Sequence, residues 1–503
     1  MLPRWALTVV AAGGLTAVLL TGQEPAAPLW LDTPGLPAID RGLREWESRR
    51  GPGRSGRAVT RPDAPDTGPV AQSVIVRFRE DAPTDTRLRT LSAVRGTRAP
   101  RPSWSDFEIV QLPAGSDPEA VATALSARPD VDWAQPRYRV AERFVPNDPL
   151  YPRQWNFQAL DMERAWDINR GASSQIIVAV LDSGLAYRDA TVRFTGRALA
   201  PFPALGSVTI PFAAAPELGG PERFVAPRDF IWNTNTPLDL DGHGTHIAGT
   251  IGQVTNNGAG VAGMAFNVRL MPVKVIDGDW DAIFNSPVFA TDDVIARGIR
   301  YAADNGAHIL NLSLGRDDRG PAPAVRSAIE YAVRRGVFVV MAAGNEFEIG
   351  NPPNQFAEFA REIPGMVSVA ATGRTNQRAT YSSTGPYVEL AAPGGDTRRG
   401  GPTAGILQQT FDTDFVDRFF FSRFGPPRFD VFAYEYYEGS SMAVPHVAGF
   451  AALLMQQGIR SPAVIEALME ATATDLGAPG RDNEFGYGLI NPRAALRGMG
   501  LIK

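Results

Sequence analysis

The sequence predicts an α/β domain, a doubly wound and mostly parallel sheet with helices on both faces, and three observations predict it. The run Ile176-Ile177-Val178-Ala179-Val180-Leu181 is apolar at every position, the pattern of a strand covered on both sides. Beyond it, strand and helix patterns alternate, which implies parallel strands joined by right-handed crossovers. Late in the chain, Phe450-Ala451-Ala452-Leu453-Leu454-Met455 is apolar all round, so the helix entered at Ser441 belongs in the middle of a large core.

Taken in order, the chain opens with Arg4 and an apolar stretch from Trp5 to Leu20. At about 16 residues it is short for a spanning helix, which needs ~20, and residues 1–22 are read as a secretory signal, with an uncleaved membrane anchor as the alternative. Leu19-Leu20-Thr21-Gly22 resembles the start of a bacterial lipoprotein signal, but Gln23 stands where the lipidated cysteine is required, so no lipid anchor is expected. Residues 23–72 are rich in Pro, Gly and Arg without periodicity, as in a disordered linker. Residues 73–140 read as a small α+β, ferredoxin-like domain. Its strands are Ser73 to Phe78, Phe107 to Leu112 and one from Val131, and its helix runs from about Asp117 to Arg128 with Val121, Ala124 and Leu125 on one face.

The large domain, 146–503, follows. After the strand that ends at Asp182, Arg269 to Ile276 reads as the next one. Thr291 caps a helix with Val294, Ile295 and Ile299 inward that stops at Asn305-Gly306, and Ala307 to Leu312 is a strand. A helix from Ala324 to Arg335 leads into the strand Val337 to Ala343. Two long segments, 189–238 and 398–438, precede motif-bearing stretches. The second is crowded with aromatics and is expected to pack as a surface subdomain rather than to expose a patch.

Composition narrows the chemistry. With 503 residues, 44% hydrophobic and 20% charged, the chain can bury more than one core, and a net charge of −5 gives no electrostatic footprint for nucleic acid. The absence of cysteine excludes disulfides, thiol catalysis and cysteine-ligated zinc. A catalytic base has to come from His243, His246, His308 or His446. Ser441 sits where the unpaired N–H groups of a helix start favour developing negative charge. Asp182 ends a strand at the sheet edge where α/β proteins place ligands.

These residues lie in Asp182-Ser183-Gly184, in His243-Gly244-Thr245-His246, and in Gly439-Ser440-Ser441-Met442-Ala443-Val444-Pro445-His446. From about Pro146 to Leu496 the chain resembles the subtilisin-like serine proteases, with their order of Asp, His and Ser. Ser440 stands where most of them carry Thr. The resemblance implies a secreted serine endopeptidase acting on protein or peptide substrates. Ser441 attacks, His243 carries the proton and Asp182 orients the imidazole. It makes Asn345 the oxyanion residue and Ser313, Leu314 and Gly315 the edge that pairs with substrate. Ala342, Ala343, Gly344 and Glu346 become the lining of the first specificity pocket, where Glu346 favours a basic residue before the cut. His246 and His446 become structural, and His308 has no assigned partner.

By the same resemblance, residues 73–140 are an inhibitory propeptide, the chain's own intramolecular inhibitor, whose tail enters the cleft beside Ser313 and is cut between Val140 and Pro146. Thr255 to Val261 resembles the family's calcium loop, with Ca²⁺ held by the Asn257 side chain and carbonyls including those of Ala259 and Val261, and with Gln154 and Asp189 as distant ligands. Asp229, Asp239 and Asp241 form a second cation site or simply solvate a loop. Two other classes stay open. A metal hydrolase using His243-x-x-His246 lacks the i, i+4 spacing and glutamate of the helical zinc motif. A catalytically inactive binding module of the same fold would keep the architecture alone.

Overall fold

The computed structural model describes residues 69–100, 103–138, 143–198, 204–316, 320–416 and 425–500. The expected leader 1–22 and all but the end of the linker lie outside the described residues. Among the described residues, no helix is long and apolar enough to cross a membrane.

The first layer is a four-stranded antiparallel sheet of β1 (Pro69–Phe78), β2 (Thr97–Arg98), β3 (Glu108–Gln111) and β4 (Val131–Tyr138), in the order β2-β3-β1-β4. Val74, Val76 and Val110 point to one face and pack on Leu91 of α1 (Thr84–Ala93) and Leu125 of α2 (Pro118–Ser126). The Asp117 carboxylate caps α2 by accepting from the Glu119 amide at 2.9 Å. β1 starts at Pro69, inside the stretch read as linker. β4 runs on to Tyr138 because Pro136 stands on an edge strand, where a missing N–H is tolerated. Helix α1 has only Thr90 and Leu91 buried, a stripe too thin to show as periodicity.

The main sheet has seven strands in the order β13-β12-β11-β10-β5-β9-β8. They are β5 (Ile177–Asp182), β8 (Arg228–Asp229), β9 (Arg269–Lys274), β10 (Ile309–Leu312), β11 (Phe338–Ala342), β12 (Met366–Thr372) and β13 (Leu390–Pro393), and the pairs are parallel. Alternation of side chains sorts their residues into two cores. Val178, Val180, Val340, Val367 and Val369 face α4 (His243–Gly252) and α7 (Ser440–Gln456). Ala179, Leu181, Leu310, Leu312 and Val339 face α5 (Asp292–Asp304) and α6 (Pro323–Arg334). Helix α7 is buried from Met442 to Met455. Each large apolar side chain so buried contributes about 1.5–3 kcal/mol, and Pro445 falls early enough in the helix for its missing N–H to cost little. Behind α7 lie α3 (Met162–Ile168), α8 (Pro462–Thr472) and α9 (Pro492–Gly500).

The two long segments form hairpins, β6 (Ala190–Gly196) with β7 (Gly206–Phe212) and β14 (Ile406–Phe411) with β15 (Phe432–Tyr437). They join each other. Phe212 stacks on Phe429 at 5.1 Å, and the Phe429 amide donates to the Pro211 carbonyl at 3.1 Å. With Phe411 and Val416 also buried, this part of the aromatic segment packs inward.

Candidate active site

Asp182 is the last residue of β5, and α4 begins directly over it. A Cβ on Gly244 would lie 2.1 Å from the Gly184 carbonyl oxygen, so only glycine lets the helix start that close. Gly242, at φ 105°, makes the turn into it. His243 Nδ1 pairs with Asp182 Oδ1 at 2.7 Å, and Asp182 is fully buried. Burial alone pulls the imidazole pKa down. The Asp182 carboxylate, helped by Asp241 and Asp239, outweighs it and raises the pKa above the ordinary histidine value.

The loop ahead of His243 is held by Asp239, whose carboxylate accepts from the amides of Asp241, Gly242 and Thr245 and from the hydroxyls of Ser183 and Thr245. Asp229 in turn accepts from the amides of Ile231 and Trp232. A fully buried Lys274 lies beneath, its ammonium donating to the carbonyls of Ser183 and Leu238 and to Asp281 Oδ2 at 2.9 Å. Of the two readings of Asp229, Asp239 and Asp241, these bonds describe the loop: Asp229 and Asp239 accept from its amides and hydroxyls, and Lys274 supplies a positive charge beneath it.

Ser441 enters from the other side, in the first turn of α7. Its hydroxyl donates to the Ser313 carbonyl at 3.2 Å, and the Ser313 hydroxyl donates to the Ser441 carbonyl at 2.8 Å. Because Ser313 follows β10, the neighbour of β5, this pins Ser441 to the sheet edge that carries Asp182. Rotation about its Cα–Cβ bond is what aims the hydroxyl at a base, a tightening common when substrate binds.

Asn345 follows β11, the next strand. Its carboxamide oxygen accepts from the Ser440 amide at 2.8 Å, which fixes the orientation of Nδ2. That Nδ2 and the Ser441 amide nitrogen each lie 3.6 Å from the point a Cβ on Gly439 would occupy. Two donors thus border a space kept open by a glycine at φ 153°, the arrangement that stabilises an oxyanion. Replacing Asn345 with Ala is expected to lower kcat about 10²–10³-fold with little change in KM, measured on a peptide ester or amide. An equal loss confined to KM would contradict a role in the transition state.

Glu346 turns inward. Only 9% exposed, its carboxylate accepts from the Asn345 amide at 2.6 Å and from the Ser383 hydroxyl at 3.2 Å. These bonds clamp the loop that presents Asn345. Leu314 and Ala342 are tied together by Asn354, whose Nδ2 donates to both carbonyls, and Gly315 is pressed so near Asn354 that a Cβ there would lie 2.2 Å from Nδ2. Ala343 is buried at the end of the same strand, and the Gly344 amide donates to the Ser440 hydroxyl at 3.3 Å.

The remaining histidines are neutral and structural. His246 Nε2 donates to the Ile406 carbonyl at 2.9 Å, its ring stacks on Tyr437 at 4.4 Å, and burial holds its pKa down at about 3. His446 donates from Nδ1 to the Met442 carbonyl and pairs through Nε2 with Asn156, with burial lowering its pKa to about 4. His308 Nδ1 accepts from the Ile177 amide. These bonds leave His243 and His246 committed to different partners and give a zinc pair no support.

The loop around Asn257 meets two carboxylates that the sequence analysis did not place there. Asp148 accepts from the Asn256 amide at 2.7 Å, and Glu217 accepts from the Val261 amide at 3.2 Å and from the Tyr434 hydroxyl. Both are buried, burial raises both pKa values, and the charge of Asp148 adds to the rise on Glu217. Two like charges buried at one loop are what a cation would relieve. Gln154 and Asp189 each hold bonds of their own. The Gln154 carboxamide is taken up by the Ala262 amide and carbonyl, and Asp189, exposed, accepts from the Ala214 amide at 2.9 Å. The physical reason for Asp189 is the hairpin that starts beside it, which delays the return of the chain until Glu217. The Asn257 side-chain oxygen accepts from the Ala259 amide at 2.8 Å, which shapes the loop and leaves a lone pair.

Comparison with known proteins places these features in context. A family model described as "Subtilase family" matches residues 173–488. The "Thermophilic serine proteinase" of Bacillus sp. strain AK1 is 32% identical over 425 residues, covering 84% of this chain and 86% of the relative. The "Extracellular protease" of Xanthomonas campestris is 28% identical over 397 residues, covering 76% of this chain and 62% of the relative. Among solved structures, a protease of Pseudoalteromonas arctica superposes with a TM-score of 0.54 at 27% identity, covering 71% of this chain and all of that one.

Proposed function

We propose, from the premise that this chain belongs to the subtilase family and is a serine endopeptidase, that Ser441, His243 and Asp182 form its catalytic triad. The observation that carries the reading is the 2.7 Å pair of His243 Nδ1 with buried Asp182 at the sheet edge to which Ser313 also ties Ser441. In the reaction, His243 Nε2 takes the Ser441 proton as Oγ adds to the scissile carbonyl. The Ser441 amide and Asn345 Nδ2 hold the oxyanion. The imidazolium, steadied by Asp182, then protonates the leaving amine, and water releases the acyl group by the reverse steps. Hydrolysis of a denatured protein should stop on adding a serine-directed phosphonylating reagent. Continued turnover by a fully modified enzyme would end this assignment.

The base has to be neutral, so activity is present above the His243 pKa and is lost as pH falls through it. With that pKa raised, the acidic limb of kcat/KM should lie above about 6.5. Asp241→Asn removes one of the charges that raise it and should move the limb to lower pH; an unmoved limb would show that Asp241 has no part in setting it.

The N-terminal apolar stretch and relatives named as extracellular support export. Residues 73–140 we read as a propeptide that the enzyme removes itself. Calcium fits the loop around Asn257, where Asp148, Glu217, the Asn257 side chain and the carbonyls of Ala259 and Val261 would hold it; the ion supplies a counter-charge that ties the start of the domain to the loop. Binding to the folded state alone raises stability by RT ln(1 + [L]/Kd), about 2.7 kcal/mol at 100 times Kd. A melting temperature indifferent to excess chelator would remove the ion.

A further inference from the structure

The hairpin of β14 and β15 touches the turn that carries His243 and runs into the turn that carries Ser441. Its contact with the first turn is made by Thr410, whose fully buried hydroxyl donates to the Gly242 carbonyl at 2.7 Å. That carbonyl also accepts from the His246 amide at 3.0 Å, so both of its lone pairs are used. The amide of the same peptide unit, that of His243, donates to Asp241 Oδ1 at 3.0 Å. The peptide plane that leads into His243 is therefore held at both its oxygen and its nitrogen. Of the three partners, only Thr410 comes from a distant part of the chain.

The approach is close. A Cβ on Gly242 would lie 2.8 Å from Thr410 Oγ1 and 3.3 Å from the Phe411 ring, so the glycine that makes the turn also admits the strand. A second anchor sits one helical turn on. The His246 imidazole donates to the carbonyl of Ile406 at the start of β14 and stacks on Tyr437 at the end of β15, and Ile406 and Tyr437 are cross-strand partners. Ser441 is only four residues beyond Tyr437. This short connection is tied down too, because the Glu438 carboxylate accepts from the Thr397 amide at 2.5 Å and the Gly439 amide donates to the Gly394 carbonyl at 3.0 Å.

We propose that the β14–β15 hairpin positions the base against the nucleophile, with Thr410 as the positioning residue that acts on His243 through the Gly242 carbonyl. The proposal rests on the reading of Ser441, His243 and Asp182 as the triad. The imidazole has to keep its bond to Asp182 while Nε2 meets the Ser441 hydroxyl, so the backbone from which it hangs has to be fixed relative to the start of α7. Asp239 and Asp241 shape the His243 turn only from within its own loop. Thr410 refers that turn to the hairpin whose other strand leads to Ser441. Without the hydroxyl, the Gly242 carbonyl keeps its bond to the His246 amide, so α4 still forms while the plane before His243 is free to tilt.

The test is made with the matured enzyme on a peptide amide, with active sites counted by burst titration so that misfolded protein does not enter the rate. Thr410→Val keeps the shape of the side chain and removes the donor. It should lower kcat per titrated site about tenfold or more with KM within about twofold, since a misplacement of about 1 Å can cost on the order of 10²-fold. Thr410→Ser restores the hydroxyl and should return kcat to within about threefold of wild type. A valine variant with wild-type kcat overturns the proposal, as does a loss confined to KM or a serine variant as slow as the valine one. Should the valine variant fail to fold, Thr410→Ala against Thr410→Ser is read in the same way. His243→Ala separates this claim from the one beneath it: wild-type turnover by that variant overturns the triad itself, whereas an inactive His243→Ala beside a fully active Thr410→Val overturns the positioning role alone.

Discussion

Ser441→Ala is expected to leave the chain joined across the 140–146 link and to lower kcat on an external substrate by about 10⁶, a magnitude carried over from removal of the nucleophile in subtilisin. Wild-type protein should lose everything before that link, at a rate independent of dilution because the bond and the nucleophile belong to one chain. The flanks of the link make this demanding. Phe144 is buried, its amide donating to Asp167 Oδ1 at 2.8 Å, with its ring under Arg170 and against Trp166. Nearby Asn169 donates to the carbonyl of Leu453. At 1.5 Å per residue Leu453 lies about 18 Å along α7 from Ser441. The expectation that the tail lies beside Ser313 falls on residues 139–142, which lie outside the described residues. A Ser441→Ala chain that still cuts itself at a dilution-independent rate would remove Ser441 as nucleophile.

Lys274→Met should destabilise the catalytic domain by about 3–5 kcal/mol, the usual consequence of leaving one partner of a buried ion pair unpaired. Asp281 is the partner left behind, fully buried and still bound to the Trp232 indole at 2.6 Å. The loss should reach catalysis too, because Lys274 holds the Ser183 carbonyl, one residue from Asp182. Denaturation midpoints measured on a Ser441→Ala background isolate the stability effect from self-digestion. Adding Asp281→Leu should recover a large part of it, since removing both charges avoids the unpaired one. A single substitution costing under about 1 kcal/mol would show that the ammonium is not needed where it lies.

The strands at 177–182, 269–274, 309–312 and 338–342 were legible because each is a short apolar run bounded by a turn, and a sheet covered on both faces writes that pattern directly. The residues proposed as the triad were legible as motifs for a related reason: each stands at the end of an element whose start or stop is marked locally. What escaped depends on partners distant in sequence. The hairpins show no signal of their joining, since Phe212 and Phe429 are far apart in sequence and meet only in the folded chain. Glu217 and Asp148 look like ordinary surface acids until the fold buries them at the Asn257 loop, and Lys274 looks like the exposed end of a strand. The contacts of Glu346 with the Asn345 amide and Ser383 likewise have no local signal, because Ser383 lies 37 residues away.

The central claim is that the hydroxyl of Ser441 is the group that becomes acylated. It is tested most directly by treating the matured enzyme with one equivalent of a phosphonylating reagent and locating the adduct by peptide mass spectrometry. A single adduct on Ser441, formed in step with the loss of activity and slowed by His243→Ala, is the result expected. Full inactivation with the adduct on another residue, or with Ser441 unmodified, would contradict the account.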